Sequence, residues 1–579
     1  MPCPRPFILL LLLVPMTAPH CHQATEEECE EHTAFVPGHG LVGEGFDITT
    51  LARKGAYVVD VGRWERPDGT CTLCSNTLQD RDLQRLPLAM ADWRIQVSCK
   101  SMVASSLRRS AVEVANEAST AVENDWRVGL EVDVPSKGSA QVAVAGSHSK
   151  MAEFSAAKAQ EDKYSFATHE VSCQYYRFRI AHQPPLSPHF TRAVRDLPRD
   201  YTPASHFEYH NFIATYGTHY LTSVHVGGRI RDITAIRTCQ TALDGLTADE
   251  VKDCLEVEAA VSTGTGTAKV EAASKMCEEQ RQKENLKTSF HEAYKERHTE
   301  IIGGHDHIDL LFSNGQDASA YTSWLEGVKA NPGLLSYTLA PLHVLVKKKD
   351  PRRKALQRAV SKYIHGRALW RNCTQPCPPG TQRSVRDPCS CVCPGDDVAN
   401  TMCCSKKRGL GKLEVTIKRG QGLWGDHFSR TDAYVKVFYL EKLLQTSTVN
   451  NNDNPTWNIR LDFGAVTVTA ASKLRVQVWD EDNGWDDDLL GTCDELVVAG
   501  ASRQKTCYLK HGKLEYQYQL QCGPSLGGDK CQDYVPQPPD VAVNWTGIGQ
   551  TLGGKHGDES KRGGAGRDLQ GPRLVQPLV

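Results

Sequence analysis

The stretch that decides the fold runs from Tyr209 to Gly228 and reads Y-H-N-F-I-A-T-Y-G-T-H-Y-L-T-S-V-H-V-G-G. Gly217 permits a tight turn, and the pair Gly227-Gly228 permits a bend or a close backbone approach in the strand that follows. We expect His219 to be a buried, hydrogen-bonded structural residue, because no Ser, Cys or carboxylate is spaced nearby as a catalytic partner. Before the turn, apolar residues recur at helical spacing and predict a short helix: Tyr209, Phe212, Ile213 and Tyr216.

Two segments of 42 residues, 127–168 and 255–296, share one pattern on either side of this motif. Each begins and ends with alternating apolar and polar residues and has a helix-compatible middle. Such a segment can fold as a helix in water and still present one apolar and one polar face as strands. A membrane strand needs about 9–11 residues, so either segment is long enough for one hairpin. Alternation alone, however, favours ordinary sheet strands capped by surface helices.

Cysteine usage indicates an oxidising compartment. The chain has 21 Cys, and loss of Cys3 with a leader peptide leaves 20, an even number suited to pairing. Seven lie within residues 373–404, a segment with few apolar residues, which predicts a small module held by bridges and resembles an EGF-like module. This block and a block of three are both odd, so we expect one bridge to join the central domain to the small module. The expected half-cystines are Cys21, Cys29, Cys71, Cys74, Cys99, Cys173, Cys239, Cys254, Cys277, Cys373, Cys377, Cys389, Cys391, Cys393, Cys403, Cys404, Cys493, Cys507, Cys522 and Cys531.

Residues 410–522 change to period-two segments separated by Gly, Asn and Asp, which predicts an all-β sandwich. Two of its loops are unusually acidic. Asp426 and Asp432 flank one, and the other reads D-E-D-N-G-W-D-D-D from Asp480 to Asp488. Clustered carboxylates repel one another, and Ca²⁺, which takes about six to eight oxygen ligands, would stabilise them. Charge alone fits equally well with an acidic surface loop that aids solubility.

Three motifs in this region resemble a C2 domain: Thr431-Asp-Ala-Tyr-Val-Lys-Val437, Asn454-Pro-Thr-Trp457 and a D-x-D-x5-D pattern. The resemblance implies calcium ligation between the loops by Asp426, Asp432, Asp480, Asp482 and Asp488, with Asp487 as an additional candidate. Trp424 and Trp485 lie beside these carboxylates, and such aromatic rings suit a membrane interface. Phe428 is a further candidate for docking, although a loop-closing core contact fits it equally well.

The pattern Y-G-T-H-Y-x6-G-G resembles the signature of the membrane-attack-complex/perforin (MACPF) family, and the order of MACPF-like, EGF-like and C2-like parts extends the resemblance over nearly the whole chain. The resemblance implies an α+β fold with a bent, twisted antiparallel sheet and two flanking helical clusters. Residues 127–168 and 255–296 would be the clusters that unfurl into β-hairpins, with Gly227-Gly228 as the hinge. The residues that carry the motif and hinge are Tyr216, Gly217, Thr218, His219, Tyr220, Gly227 and Gly228.

The two ends of the chain are expected to lie outside this fold. Arg5, the apolar run from Phe7 to Val14 and the small residues after it have the order of a secretory signal peptide. Pro and Gly dominate the other end, which is typical of disorder, and Asn372 and Asn544 are glycosylation acceptors. The expected organisation is a signal peptide (1–18), a MACPF pore-forming domain (19–370), an EGF-like module (371–408), a C2 domain (409–522) and a mostly disordered tail (523–579).

Composition and motifs exclude other classes of function. Lys and Arg total 67 against 69 Asp and Glu, so the chain lacks the basic excess expected of a nucleic-acid binder. We find no metalloprotease helix motif, nucleophile elbow or coherent acid/base pair, and we therefore predict that the protein is not an enzyme.

The MACPF resemblance implies a secreted, calcium-dependent cytolytic protein that docks on a target-cell bilayer, forms a ring or arc of copies and inserts a β-barrel pore. It also implies storage in cytolytic granules, insertion into the target membrane, and granule proteases as cargo delivered through the pore. Because lipid offers no hydrogen-bond partners, hairpins are viable only if many copies close into a barrel. The alternative is a calcium-dependent adhesion or tethering protein, which would bind vesicles without causing leakage.

Overall fold

The structure is a computed structural model. It describes residues 21–100, 102–132, 140–265, 268–283, 288–305, 310–312, 319–385, 387–425, 429–482, 487–539 and 543–544. The predicted signal peptide lies outside these residues. Within the described part of the chain, no helix is both long enough and apolar enough to cross a membrane.

Residues 21–372 form a mixed α and β domain, which confirms the predicted α+β class. Its strands are β1 (Cys21–Ala24), β2 (Glu44–Asp47), β3 (Ala52–Tyr57), β4 (Cys71–Asn76), β5 (Asp82–Arg85), β6 (Met90–Cys99), β7 (Ala104–Arg108), β8 (Ala140–Ala143), β9 (Tyr164–Ile180), β10 (His219–Arg237), β11 (Arg297–Ile302), β12 (Gly333–Pro341) and β13 (Leu369–Asn372). Its helices are α1 (Glu26–Glu31), α2 (Ala111–Ala118), α3 (Lys150–Glu161), α4 (Pro188–Asp196), α5 (His206–Tyr216), α6 (Thr238–Leu243), α7 (Ala248–Thr263), α8 (Ala268–Lys283), α9 (Phe290–Ala293), α10 (Ser319–Ala330) and α11 (Arg352–Gly366).

Two long strands, β9 and β10, form the spine of an antiparallel sheet to which eight of the described strands belong. They pair from Ser223 opposite Arg179 to Arg237 opposite Tyr164. On the outer side of β10, β12 pairs with its first half and β11 with its second half. On the outer side of β9, β6 pairs with its second half and β7 with its first half. Both spine strands therefore change their outer partner part-way along.

Helices cover both faces of the half of the sheet where β9 begins and β10 ends. Phe166 of β9 packs with Met151 of α3 and Val114 of α2 in one apolar cluster. On the opposite face, the side chain of His169 contacts the backbone carbonyl of Lys252 in α7 at 3.0 Å. Because successive residues of a strand point to opposite faces, the two helical clusters lie on opposite sides of the same sheet half.

The predicted cluster segments differ in structure from their strand-like sequence. The alternating run at the start of segment 127–168 forms turns in its described part, with Val128 exposed and its N–H bonded to the Asp125 carbonyl at 3.3 Å. The alternating run that begins at Leu255 lies in helix α7. The described residues of these two alternating runs therefore form turns and a helix and belong to no strand of the described structure.

A cysteine-rich module follows, with a short ladder of β14 (Gln382–Arg383) and β15 (Cys391–Val392). Its internal bridges are Cys373–Cys389, Cys377–Cys391 and Cys393–Cys403. The remaining cysteine, Cys404, is bonded to Cys239 of α6, so one bridge joins the module to the MACPF-like domain. Elsewhere the structure pairs Cys21–Cys74, Cys29–Cys71, Cys99–Cys173, Cys254–Cys277, Cys493–Cys507 and Cys522–Cys531.

Residues 410–522 form a sandwich of two four-stranded antiparallel sheets around an apolar core. Its strands are β16 (Leu410–Gln421), β17 (Ala433–Tyr439), β18 (Lys442–Gln445), β19 (Thr456–Thr467), β20 (Lys473–Asp480), β21 (Asp488–Leu496), β22 (Arg503–Tyr508) and β23 (Lys513–Cys522). One sheet has the order β19-β16-β23-β22 and the other β18-β17-β20-β21. The period-two segments of the sequence all lie in these strands.

The expected tail, 523–579, begins with a folded part. Residues 523–539 form the ladder of β24 (Leu526–Gly527) and β25 (Asp533–Tyr534), which the bridge Cys522–Cys531 closes. A last strand, β26 (Val543–Asn544), pairs with β13, which in turn pairs with β8. A disulfide and long-range strand pairing order this segment, and neither is visible in its Pro- and Gly-rich composition.

Candidate functional site: acidic loops and a glycine-rich hinge

Three loops meet at one end of the β sandwich, and they come from between β16 and β17, between β18 and β19, and between β20 and β21. Asp453 joins the first two loops. Its carboxylate accepts a hydrogen bond from the Thr431 N–H at 3.1 Å, and its carbonyl accepts one from the Leu423 N–H at 2.9 Å. Sequence analysis missed Asp453, although it directly precedes the quoted Asn454-Pro motif.

Asp480 is the buried centre of this loop cluster. It ends β20 opposite Ala433 on one side and Asp488 on the other. Its Oδ1 accepts the Asp432 N–H at 2.6 Å. A Cβ atom on Gly425 would lie 1.9 Å from its Oδ2, so the loop backbone can approach this carboxylate only at a glycine.

Two other aspartates of these loops, Asp432 and Asp487, are held by hydrogen bonds of their own. Asp432 Oδ1 accepts the Asn451 N–H at 2.6 Å. Asp487 accepts the Asp482 N–H at 3.3 Å and the Tyr434 hydroxyl at 2.7 Å. Burial, followed by the hydrogen bond to Asp487, raises the pKa of Tyr434, so the phenol keeps its proton and donates a hydrogen bond to the carboxylate. Asp487 is thereby held in place by a residue that sequence analysis did not single out.

The donor set fits a hard cation. Five of the six predicted ligands lie in the described part of these loops, and all are carboxylates, which calcium prefers: Asp432, Asp480, Asp482, Asp487 and Asp488. Asp426 lies outside the described residues. Within the described part of the chain, no three acidic, histidine or cysteine side chains are close enough together to form a metal site.

Exposed apolar side chains lie beside the acidic loops. Trp424 is 40% exposed, and its ring stands perpendicular to that of His511 at 4.8 Å. Leu489, which follows Asp488, is 47% exposed and was not predicted as part of the site. Trp485 and Phe428 lie outside the described residues. The described loops thus combine carboxylates with apolar side chains that face solvent.

The second candidate site lies in the sheet at Gly227-Gly228. Gly228 is opposite Cys173. Near this pair, the outer partner of β10 changes from β12 to β11, and that of β9 changes from β6 to β7. A Cβ on Gly227 would lie 2.1 Å from the Cys173 carbonyl, and one on Gly228 would lie 2.7 Å from the ring of Trp324. Both glycines are therefore required by close approach, at the level where the sheet divides into two halves.

The motif at residues 216–220 anchors the other half of the sheet, where β10 begins. Gly217 ends α5 with a φ of 78°, and the Thr218 hydroxyl accepts the Ile48 N–H at 3.1 Å. His219 is fully buried between the Thr218 hydroxyl at 2.8 Å and the Trp126 carbonyl at 3.0 Å. Burial lowers the pKa of His219 to about 4, so the ring is neutral at pH 7. Tyr216 and Tyr220 on either side are buried in the core.

The two glycosylation acceptors lie at neighbouring strands. Asn372 ends β13, and its Oδ1 accepts the Thr374 N–H at 2.9 Å and the Thr374 hydroxyl at 2.8 Å. Asn544 lies in β26, opposite Trp370. Whether either asparagine is glycosylated stays a prediction.

Comparison with known proteins agrees with this arrangement of parts. The family model described as MAC/Perforin domain matches residues 36–371, Perforin-1-like, EGF domain matches 372–406, and C2 domain matches 411–505. The chain is 50% identical to Perforin-1 of Homo sapiens over 520 residues, which cover 89% of this chain and 93% of that protein. It is 46% identical to Perforin-1 of Rattus norvegicus over 533 residues, which cover 92% and 96%. With the first model spanning more than half of its length, the chain belongs to the membrane-attack-complex/perforin family.

Proposed function

We propose that this protein is a secreted, calcium-dependent, pore-forming cytolysin. It docks on a target-cell bilayer through the loops of its C2 domain, assembles with copies of itself into a ring or arc, and inserts residues 127–168 and 255–296 as β-hairpins of a shared barrel. The observation that carries the proposal is the pair of helical segments with strand-like sequences, packed on opposite faces of one half of a sheet that divides at Gly227-Gly228.

The acidic loops support calcium-controlled docking. Asp426, Asp432, Asp480, Asp482, Asp487 and Asp488 would hold the ion, which supplies positive charge that cancels carboxylate repulsion. Trp424 and Leu489 can then approach lipid, where an apolar side chain is stabilised and a charged loop is not. Carboxylates ligate only when ionised, so docking weakens in an acidic granule, the proposed place of storage.

The divided sheet supports the insertion step. The half of the sheet where β9 begins and β10 ends leads to both helical segments. Each segment can therefore extend the sheet by adding strands to it. A new hairpin has unpaired edges, which lipid cannot satisfy, and neighbouring copies must therefore supply the partner strands. Delivery of granule proteases through the resulting pore stays a prediction.

Dye release from liposomes, with and without calcium, tests this function on the mature full-length chain. We expect both binding and release to require calcium. Asp480→Asn, which keeps an oxygen able to accept the Asp432 N–H, should abolish calcium-dependent binding. Asp494→Asn, on β21 away from the loops and paired with Arg475 at 2.8 Å, is the matched control and should bind normally.

The alternative function gives a different result in the same assay. Calcium-dependent binding without dye release would identify an adhesion or tethering protein and overturn the pore. Full release by Asp480→Asn would instead overturn carboxylate control of docking.

A further inference from the structure

One disulfide bridge encloses the first part of residues 255–296, which are the second of the two proposed insertion segments. Cys254 in α7 is bonded to Cys277 in α8, at a sequence separation of 23. Their Cα atoms are 5.6 Å apart, close to the roughly 5.5 Å between the two residues of a hydrogen-bonded pair in an antiparallel ladder. The same bridge therefore fits both the helix pair and a hairpin, and it need not break when the segment changes conformation.

We propose that the Cys254–Cys277 bridge sets the register of the membrane hairpin and thereby chooses which side chains face lipid. With these two cysteines directly opposed, residues 255–264 pair with residues 267–276. The inference rests on the proposed pore-forming function and specifies one of its hairpins.

This register places every charged side chain of the stretch on one face of the hairpin. Because directly opposed residues point to the same face, each face of the hairpin follows from the sequence. The lipid face would be Leu255, Val257, Ala259, Val261 and Thr263 with Ala268, Val270, Ala272, Ser274 and Met276, and it contains no charge. The other face would hold every charged residue of the stretch, namely Glu256, Glu258, Lys269, Glu271 and Lys275.

A different register destroys this sorting. A one-residue slip moves every side chain of one strand to the other face. Lys269, Glu271 and Lys275 would then share a face with Leu255 and Val257. In the bridged register, Glu256 is instead directly opposite Lys275, and such opposite-charge pairs stabilise a ladder.

The stretch between the cysteines also has the length and ends of one membrane hairpin. Each strand has the roughly 9–11 residues that cross the apolar layer. Gly264 and Gly266 lie at the turn, where hairpin loops favour glycine. Asp253 and Glu278, opposite one another just outside the bridge, would end the uncharged face.

Packing of the soluble helices does not explain the pattern. Helix α7 buries Ala260 and Ser262 from the charged face together with Leu255 and Ala259 from the lipid face. Val261 is 40% exposed and Met276 is 62% exposed. The helices thus bury residues of both hairpin faces and leave apolar residues exposed. The period-two pattern therefore fits a conformation other than these helices.

Two adjacent substitutions in α8 test the register, because residues 272 and 273 point to opposite faces of the hairpin. Ala272 is exposed and Ala273 is half-buried in the soluble fold. Ala272→Lys places a charge at mid-depth in lipid, and we expect roughly tenfold less dye release per bound protein. Ala273→Lys places the same charge on the other face, directly opposite Glu258, and should release dye within about twofold of the unmodified chain.

Each variant is first checked for unchanged thermal unfolding and calcium-dependent liposome binding. Val261→Lys, on the lipid face and exposed in the soluble fold, replaces Ala272→Lys if that variant does not fold. Mass spectrometry of the membrane-bound oligomer, alkylated without reduction, should find the bridge between residues 254 and 277 intact.

The outcomes separate this inference from the function on which it rests. Failure of the unmodified chain to release dye overturns the pore-forming function. Release by the unmodified chain together with full activity of Ala272→Lys, loss of activity in Ala273→Lys, or free thiols at residues 254 and 277 overturns the register alone.

Discussion

The two segments that we propose to insert, 127–168 and 255–296, follow the same sequence scheme but are restrained in different ways. The second segment is held by its own bridge, Cys254–Cys277, and by side-chain contacts from the sheet, including a hydrogen bond from Ser105 of β7 to Glu256. The first is held by distant parts of the chain. Asp162, which follows α3, accepts hydrogen bonds from the Tyr534 hydroxyl and from the Gln537 N–H at 2.9 Å.

The first segment also contacts the cysteine-rich module. The Gln141 side chain donates to Asp387 at 3.0 Å, and β8 pairs with β13 at the entrance to the module. Release of the first segment therefore requires the C-terminal segment and the module to give way. The second segment must instead break contacts with the sheet, with helix α10 and with the first segment, where Glu296 pairs with Lys158 at 3.1 Å. We expect the two segments to respond to different perturbations.

The largest expected effect comes from removing the bridge of the second segment. Cys254→Ser with Cys277→Ser should lower the free energy of unfolding by about 3 kcal/mol, because the unfolded chain regains the entropy of the closed loop. Hydrogen exchange should accelerate in α7 and α8 and stay unchanged in α3. Met276→Ser, beside the bridge, is the control; unchanged exchange in the double variant would show that sheet contacts alone hold the segment.

Acid should loosen the second segment through His169. This residue is fully buried between β9 and α7, and its Nδ1 has no hydrogen-bond partner among the described residues. Burial lowers the pKa of His169 to about 4. The charges of Lys252 and Arg297 also lower it, whereas the hydrogen bond to the Lys252 carbonyl and the charge of Asp253 raise it. Since this pKa lies below the usual value of a histidine, the folded state with neutral His169 is fully stable above about pH 6.5. That stability is lost as pH falls toward 4.

The free energy required to open α7 should be about 2 kcal/mol lower at pH 5 than at pH 7. Hydrogen exchange at the two pH values measures this difference. His169→Gln should remove this pH dependence from α7 and leave that of α3 unchanged. His182→Gln, at an exposed histidine, is the matched control. Equal acid sensitivity of α7 in both variants would contradict the assignment to His169.

The smallest effect is expected at the restraint of the first segment. Asp162→Asn keeps the size of the buried side chain but loses one acceptor, and it should cost about 1 kcal/mol. Exchange should accelerate in α3 and in residues 533–537, with α7 unchanged. Glu161→Gln, the exposed neighbour, is the control, and acceleration confined to α3 would show that the C-terminal segment does not restrain it.

Much of the local structure could be predicted from the sequence. The helical spacing of Tyr209 to Tyr216 corresponds to α5, and the period-two segments correspond to strands of the sandwich. Odd cysteine blocks indicated a bridge between the central domain and the small module, where the structure has Cys239–Cys404. These signals are local periodicity and counting, which need no knowledge of the tertiary fold.

The support of the candidate sites could not be predicted in this way. Asp453 ties Leu423 to Thr431, and Tyr434 holds Asp487 from the neighbouring strand. Each contact joins residues that are distant in the sequence. No spacing rule reports it, because strand order and loop conformation decide which side chains meet.

The sequence by itself determined the chemistry of this protein: which stretches alternate, where carboxylates gather, and how many cysteines must pair. Tertiary structure alone decided that both insertion segments lie on the same half of one sheet, that this half begins at Gly228, and that each segment is restrained by different neighbours. The physical reason is that periodicity follows from neighbours along the chain, whereas burial, register and long-range hydrogen bonds depend on which distant strands come together.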